Sequence, residues 1–139
     1  MALSGEPPAS PDSGGSALSF IGTISSGESL ELFPDVKSIT VPAQLVQNPE
    51  SSYVIKARGF GLQEELIDDG DLLIIETADD IDDGDTVLVS VNGTPFVKRI
   101  YFDGENIILT SRKPGIDRIQ INQHLVQIQG KLAGLIRVY

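Results

Sequence analysis

The sequence predicts a mainly β domain built on a coiled, partly closed sheet, and three observations predict it. Short runs rich in β-branched and aromatic residues recur along the chain. Asn92-Gly93 stands between two of them as a hairpin turn, because both residues tolerate the positive φ of a primed turn. One short stretch, Leu62 to Ile67, is the helix candidate inside the domain.

The elements follow in order. Residues 1–17 are rich in Pro, Gly and Ser with few large apolar groups, and read as a disordered arm. Residues 18–24 (LSFIGTI) are the first strand-like piece, and Ser25-Ser26-Gly27 is a small-residue turn or exposed linker. Residues 30–41 are extended. Residues 42–48 have room for one helical turn before Pro49, which disfavours helix in the residue ahead of it. Strands are expected over 53–58, 72–76, 86–91 and 96–101. Asp103-Gly104 turns the chain into 107–109. Segments 119–121 and 125–139 close it, with Gly130 and Gly134 as bends or bulges. The domain therefore divides into 18–50, a loop and linker region, and 51–139, the core.

At 139 residues the chain fits one domain with a real core. It has no cysteine, which excludes disulfides, thiol catalysis and cysteine zinc sites. Formal net charge is −10, with eleven acids and no base between residues 64 and 85. No run of bases exceeds two, so the cationic face that direct nucleic-acid binding requires is not expected. Met1 to Gly15 lacks the basic start and apolar run of a signal peptide, and no apolar run approaches membrane length. A cytoplasmic location without membrane association is the expectation. An EF-hand loop starting at Asp79 would need an oxygen ligand at its third position and Glu at its twelfth, where Ile81 and Ser90 stand. No metal or cofactor is expected, and the acidic runs read as tight turns on a solvated face. His124, the single histidine, reads as a surface or packing residue.

The segment from Ser52 to Glu76, with Tyr53–Arg58, Gly59-Phe60-Gly61-Leu62 and Gly70-Asp71-Leu72-Leu73, resembles the LexA/UmuD self-cleaving peptidase family. That family shares a strand, a Gly-x-Ser-Met turn and a Gly-Asp-Leu ending. Downstream, Phe96-Val97-Lys98-Arg99-Ile100 resembles its Val-Lys-Arg strand, and upstream Ile24-Ser25-Ser26-Gly27-Glu28 resembles its cleavage site, followed by Val41-Pro42. The resemblance spans about residues 18–139 and implies a LexA/signal-peptidase-like fold. In layout the chain is most similar to UmuD, the accessory protein of an error-prone translesion polymerase, because it leaves no room for a helix-turn-helix domain in front.

In the family a serine attacks the scissile carbonyl while a neutral lysine takes its proton. The resemblance puts Lys98 at the base position, Ser26-Gly27 at the cleavage site, and Gly61 where the nucleophile should be. Leu62 replaces the usual methionine. Strand alternation sets Lys98 on one face with Phe96 and Ile100. That placement invites burial, which makes a lysine a better base. Periodicity alone fits better a lysine laying its stem on apolar surface with its ammonium in water. Likewise Gly61 alone is an ordinary turn glycine.

Residues 125–139 carry apolar groups on both faces, which a bare edge strand would not. With the family's symmetric dimer, this implies a homodimer through Ile128, Leu132, Leu135 and Ile136; the alternative is a strand buried within the monomer. Three functions follow. The first is a catalytically impaired regulatory module of the SOS or DNA-damage type, whose protein partner is an error-prone polymerase, RecA filament or active relative. The second is an autopeptidase with a substitute nucleophile. The third is a repressor subunit whose DNA contacts lie elsewhere.

Overall fold

The computed structural model describes residues 15–59, 61–111 and 118–139. Nine strands make one mixed sheet. They are β1 (Gly15–Ser25), β2 (Ser29–Pro42), β3 (Ser52–Ala57), β4 (Leu72–Glu76), β5 (Thr86–Val91), β6 (Thr94–Asp103), β7 (Asn106–Thr110), β8 (Arg118–Asn122) and β9 (Val126–Ile136). Their order across the sheet is β2-β1-β3-β4-β9-β5-β6-β7-β8. Neighbours are antiparallel except β1 and β3, which run parallel.

The mainly β class holds, and the local turn signals sit where the residues placed them. Asn92 and Gly93 both adopt positive φ, 51° and 85°, between β5 and β6. The register slips beside Gly130 and Gly134, where β9 bulges against β5 and β4. Both short helix candidates are single 3-10 turns, Ala43–Leu45 and Gln63–Glu65.

Four expectations are corrected. The arm was expected to run to residue 17, yet β1 begins at Gly15; residues 1–14 lie outside the described residues. Residues 18–50 are not a linker. They supply β1, which lies inside the sheet, and β2, and they place Leu18, Val41 and Val46 in one apolar cluster with Val54 and Ile74. β9 does not end the sheet waiting for an outside partner: it lies between β4 and β5 in the strand order, its first half (126–131) paired with β5 and its second half (131–136) with β4. The acidic run is not uniformly solvated either, since Glu65, Asp71 and Glu76 are buried.

The sheet coils because its distant strands meet. β1 and β6 stand five positions apart, yet the Gly27 N–H beyond the end of β1 donates to the Pro95 carbonyl of β6 at 2.8 Å. The space enclosed is filled by Ile24, Ile55, Leu62, Leu73, Leu88 and Val97, among others. Side chains from β1, β3, β4, β5 and β6 thus share one core. A third cluster around Val87, Val89, Ile100 and Leu109 supports β5 to β7 from the other side. Among the described residues, no helix is long and apolar enough to cross a membrane.

Candidate functional site

The site assembles where the β1–β2 turn meets the excursion between β3 and β4. The turn is tight: Glu28 N–H donates to the Ser25 carbonyl at 2.9 Å. Its third residue, Gly27, has φ +78°, a conformation that L side chains rarely adopt. Space does not select glycine there, since an added Cβ would find the Phe96 ring at an ordinary 3.5 Å. The turn is pinned on both flanks. Gly27 N–H binds Pro95 O, and Arg58 N–H binds Ile24 O at 2.9 Å.

The β3–β4 excursion is closed at its neck. Gly70 N–H donates to Ala57 O at 2.8 Å, Ala57 N–H to Asp71 O at 2.8 Å, and Gly59 N–H to Asp69 Oδ1 at 2.7 Å. Buried Leu62 and Ile67 anchor it in the core. Gly61 therefore has a fixed address. A Cβ built on it would lie 3.0 Å from the Ser26 carbonyl oxygen and 3.9 Å from the carbonyl carbon. The structure thus brings Ser26, Gly27 and Gly61 together, and the Ser26–Gly27 peptide faces the position that has no side chain. Phe60 lies outside the described residues.

Lys98 is held inward, but not as an isolated amine. Its Nζ donates to Glu65 Oε2 at 3.0 Å and to Ser111 Oγ at 3.0 Å. Side-chain exposure is 13% for Lys98 and 2% for Glu65, so the ion pair is shielded from water. Ser111 is buried as well. A small apolar pocket of about 90 Å³ opens beside Lys98, walled by Val91, Phe96, Leu109, Ile119 and Ile121.

Glu65 and Ser111 were not singled out from the sequence. Glu65 carried a usable signal. It lies three residues after Leu62, and in a 3-10 turn residues three apart share a side. It follows Leu62 into the interior.

A second buried carboxylate braces the excursion from behind. Asp71 accepts Arg137 Nε on Oδ1 at 2.9 Å, and Arg137 Nη2 at 2.7 Å and Asp68 N–H at 2.8 Å on Oδ2. Arg137 Nη2 also reaches Leu66 O at 3.3 Å. Just after β9, the chain thereby grips the loop that carries Gly61 and Glu65.

The other candidates lie elsewhere. Ile128, Leu132, Leu135 and Ile136 are half-buried on β9, each packed against one of the monomer's own clusters. His124 is exposed in a 3-10 turn capped by Asn122. Among the described residues no group of three His, Cys, Asp or Glu side chains is placed to hold a metal ion.

Comparison with known proteins agrees with this architecture. The family model described as Peptidase S24-like matches residues 19–133. The LexA repressor of Ruegeria sp. (strain TM1040) is 30% identical over 92% of this chain and 54% of its own length. That of Pseudothermotoga lettingae is 31% identical over 88% and 62%, and that of Erythrobacter litoralis 34% over 85% and 51%. The chain thus spans about half to three-fifths of the relatives it matches. The match runs from within β1 to within β9, through the turn, the excursion and the Lys98 strand. On that coverage the chain belongs to the Peptidase S24-like family, the LexA/UmuD type that its motifs resemble.

Proposed function

We propose that this LexA/UmuD-like regulatory protein does not cut itself and acts as a dimeric interaction module. One observation carries the reading: the carbonyl of Ser26 faces Gly61, which has no atom to attack it with. Acyl transfer needs a nucleophile aligned with the carbonyl and a base to take its proton. Here the substrate peptide is docked and the nucleophile is missing. A docked, uncut turn leaves one persistent surface, the property a binding module needs. The net charge of −10 favours a basic protein surface as partner, such as a face of an error-prone polymerase, a RecA filament or an active relative.

The test is direct. Incubated at mildly alkaline pH with and without activated RecA filament, the purified chain keeps a single intact mass. A fragment beginning at Gly27 overturns the proposal.

A second reading rests on Ser111, whose hydroxyl lies 3.0 Å from Lys98 Nζ and makes it the candidate substitute nucleophile. It requires cutting of the unmodified chain, and loss of that cutting in Ser111→Ala. A repressor role, which the relatives' name raises, requires DNA contacts from elsewhere; the chain alone then shows no salt-dependent DNA binding.

A further inference from the structure

We propose that Glu65 is a second disabling feature of this site, an ion-pair lock that keeps Lys98 from acting as a base even when a nucleophile is supplied. The inference rests on the non-cleaving reading above and adds a residue to it. A lysine takes a proton only through a free lone pair. Here Nζ donates to Glu65 Oε2 and to Ser111 Oγ, both at 3.0 Å, and an opposite charge this close favours the charged form of an amine, which has no lone pair to offer. The pair sits almost out of water, so neither charge is answered by solvent if the other is lost.

The lock is built by the same turn that carries the vacant position. Glu65 N–H donates to Leu62 O at 2.9 Å and Ile67 N–H to Leu62 O at 3.1 Å. Leu62 and Ile67 are fully buried on either side of Glu65. Leu66, next to it, takes a left-handed φ of 64°, which turns its own side chain out to solvent. Glu65 is thereby directed inward by the turn's geometry rather than by chance rotamer choice. A glutamate on that turn is fixed toward β6, where it pairs with Lys98.

The consequence concerns a defined reaction. In Gly61→Ser, the introduced hydroxyl oxygen bonds to the Ser26 carbonyl carbon and its proton passes to the Lys98 amine. The C–N bond to Gly27 breaks, and the departing amine takes that proton. Water then hydrolyses the ester, freeing the new Ser26 carboxyl group and the hydroxyl. With the Glu65 carboxylate on Lys98 Nζ, the first proton has no ready acceptor. Restoring the serine alone therefore leaves cutting slow.

Four proteins test this at pH 8 by intact mass: the unmodified chain, Gly61→Ser, Gly61→Ser with Glu65→Gln, and that double variant with Lys98→Met. Glutamine keeps the shape of the side chain and removes its charge. We expect the double variant to cut at Ser26–Gly27 at least about a hundredfold faster than Gly61→Ser, the lower range of general-base catalysis. Adding Lys98→Met should abolish it. Equal rates for the single and double variants overturn the lock while leaving the lost-nucleophile reading intact. Cutting by the unmodified chain overturns that reading instead. A readout independent of cutting is carbamoylation by cyanate, in which only a neutral amine attacks the isocyanic acid carbon, and the reagent is small enough for the pocket beside Lys98. Peptide mapping should show Lys98 modified about tenfold faster in Glu65→Gln than in the unmodified chain at equal pH, with Lys131 as internal reference. Equal rates overturn the lock, whether or not any variant cuts.

Discussion

A carboxylate with 2% of its surface exposed needs its charge answered, and Asp71 has three donors for it. The Arg137 guanidinium, ahead of the Asp68 N–H, holds the Asp71 carboxyl below the usual carboxylate range, against burial, which pushes it up. A group depressed in the folded state contributes stability that is complete above its unfolded pKa of about 3.9. That contribution is lost as pH falls through the lower folded value. Asp71→Asn should therefore cost about 2 kcal/mol at pH 7, the scale of hydrogen bonds to a charged group. The difference between the variant and the parent should shrink below about pH 4, read by urea denaturation across that window. A gap of constant size down to pH 2 would remove the ion pair as its cause. The buried acids also mark where the sequence stops being readable. Gly61, Lys98, Ser26 and Gly27 were legible because each sits in a local motif. Glu65 looked like one more charge in an acidic run, Asp71 was marked only by its place in the Gly70-Asp71-Leu72 motif, and Glu76 looked like another charge. Their burial depends on Lys98, Arg137 and Asn48, which stand 33, 66 and 28 positions away. Counting charge along a chain does not reveal which acid will meet its cation across the fold.

At the scale of elements, the β1–β2 hairpin positions the whole site. Its two strands do not pair evenly. Phe20 faces Lys37 and Gly22 faces Leu32, so residues 33–36 bow outward around Pro34. Phe33 in that bow packs edge-on against Phe20, with ring centres 4.9 Å apart, and Lys37 Nζ lies 4.7 Å over the Phe33 ring. The bow is possible because Gly22 lets the backbones close. A Cβ there would fall 2.1 Å from the Glu31 carbonyl oxygen and 2.9 Å from Leu32 Cα. Those atoms belong to the paired strand and cannot yield without opening the hairpin. Gly22→Ala should destabilise the fold by about 3 kcal/mol, the upper end of overpacking, seen as a lower urea midpoint at unchanged slope. An unchanged midpoint would mean that the strands separate freely, and the turn holding Ser26 would then not be rigid. Local chemistry made most strands and two of the four 3-10 turns among the described residues legible, because β-branched runs and turn residues act over a few positions. The partners of each strand were not. β9 carries apolar residues on both faces, which fits a strand seeking an outside partner and a strand already enclosed. Pairing of its first half with β5 and its second half with β4 follows from chain topology, which no single segment encodes.

For the whole molecule, that topology changes how a homodimer would form. Each half of β9 is paired along one side, residues 126–131 with β5 and 131–136 with β4, and Ile128, Leu132, Leu135 and Ile136 are only half-buried, so an interface there uses the exposed fraction of those side chains. Each of those side chains already contributes to a core cluster, so the area left for a partner is modest. Charge opposes association as well, because each copy carries −10. Repulsion between two such bodies is screened within about 8 Å at physiological ionic strength and reaches about 30 Å at 0.01 M. A dimer of this protein should therefore tighten as salt rises, the reverse of an ion-pair-driven complex. Sedimentation equilibrium at low and high sodium chloride would read the sign directly. Because partner binding stabilises the folded state by mass action, the thermal midpoint should also climb with protein concentration. Ile128→Asp, on the partly exposed face of β9, should erase that climb and leave a monomer at every salt concentration. A parent chain that stays monomeric throughout would remove the dimer. A dimer that survives Ile128→Asp and weakens with salt would move the interface off β9, toward the free edges at β2 and β8.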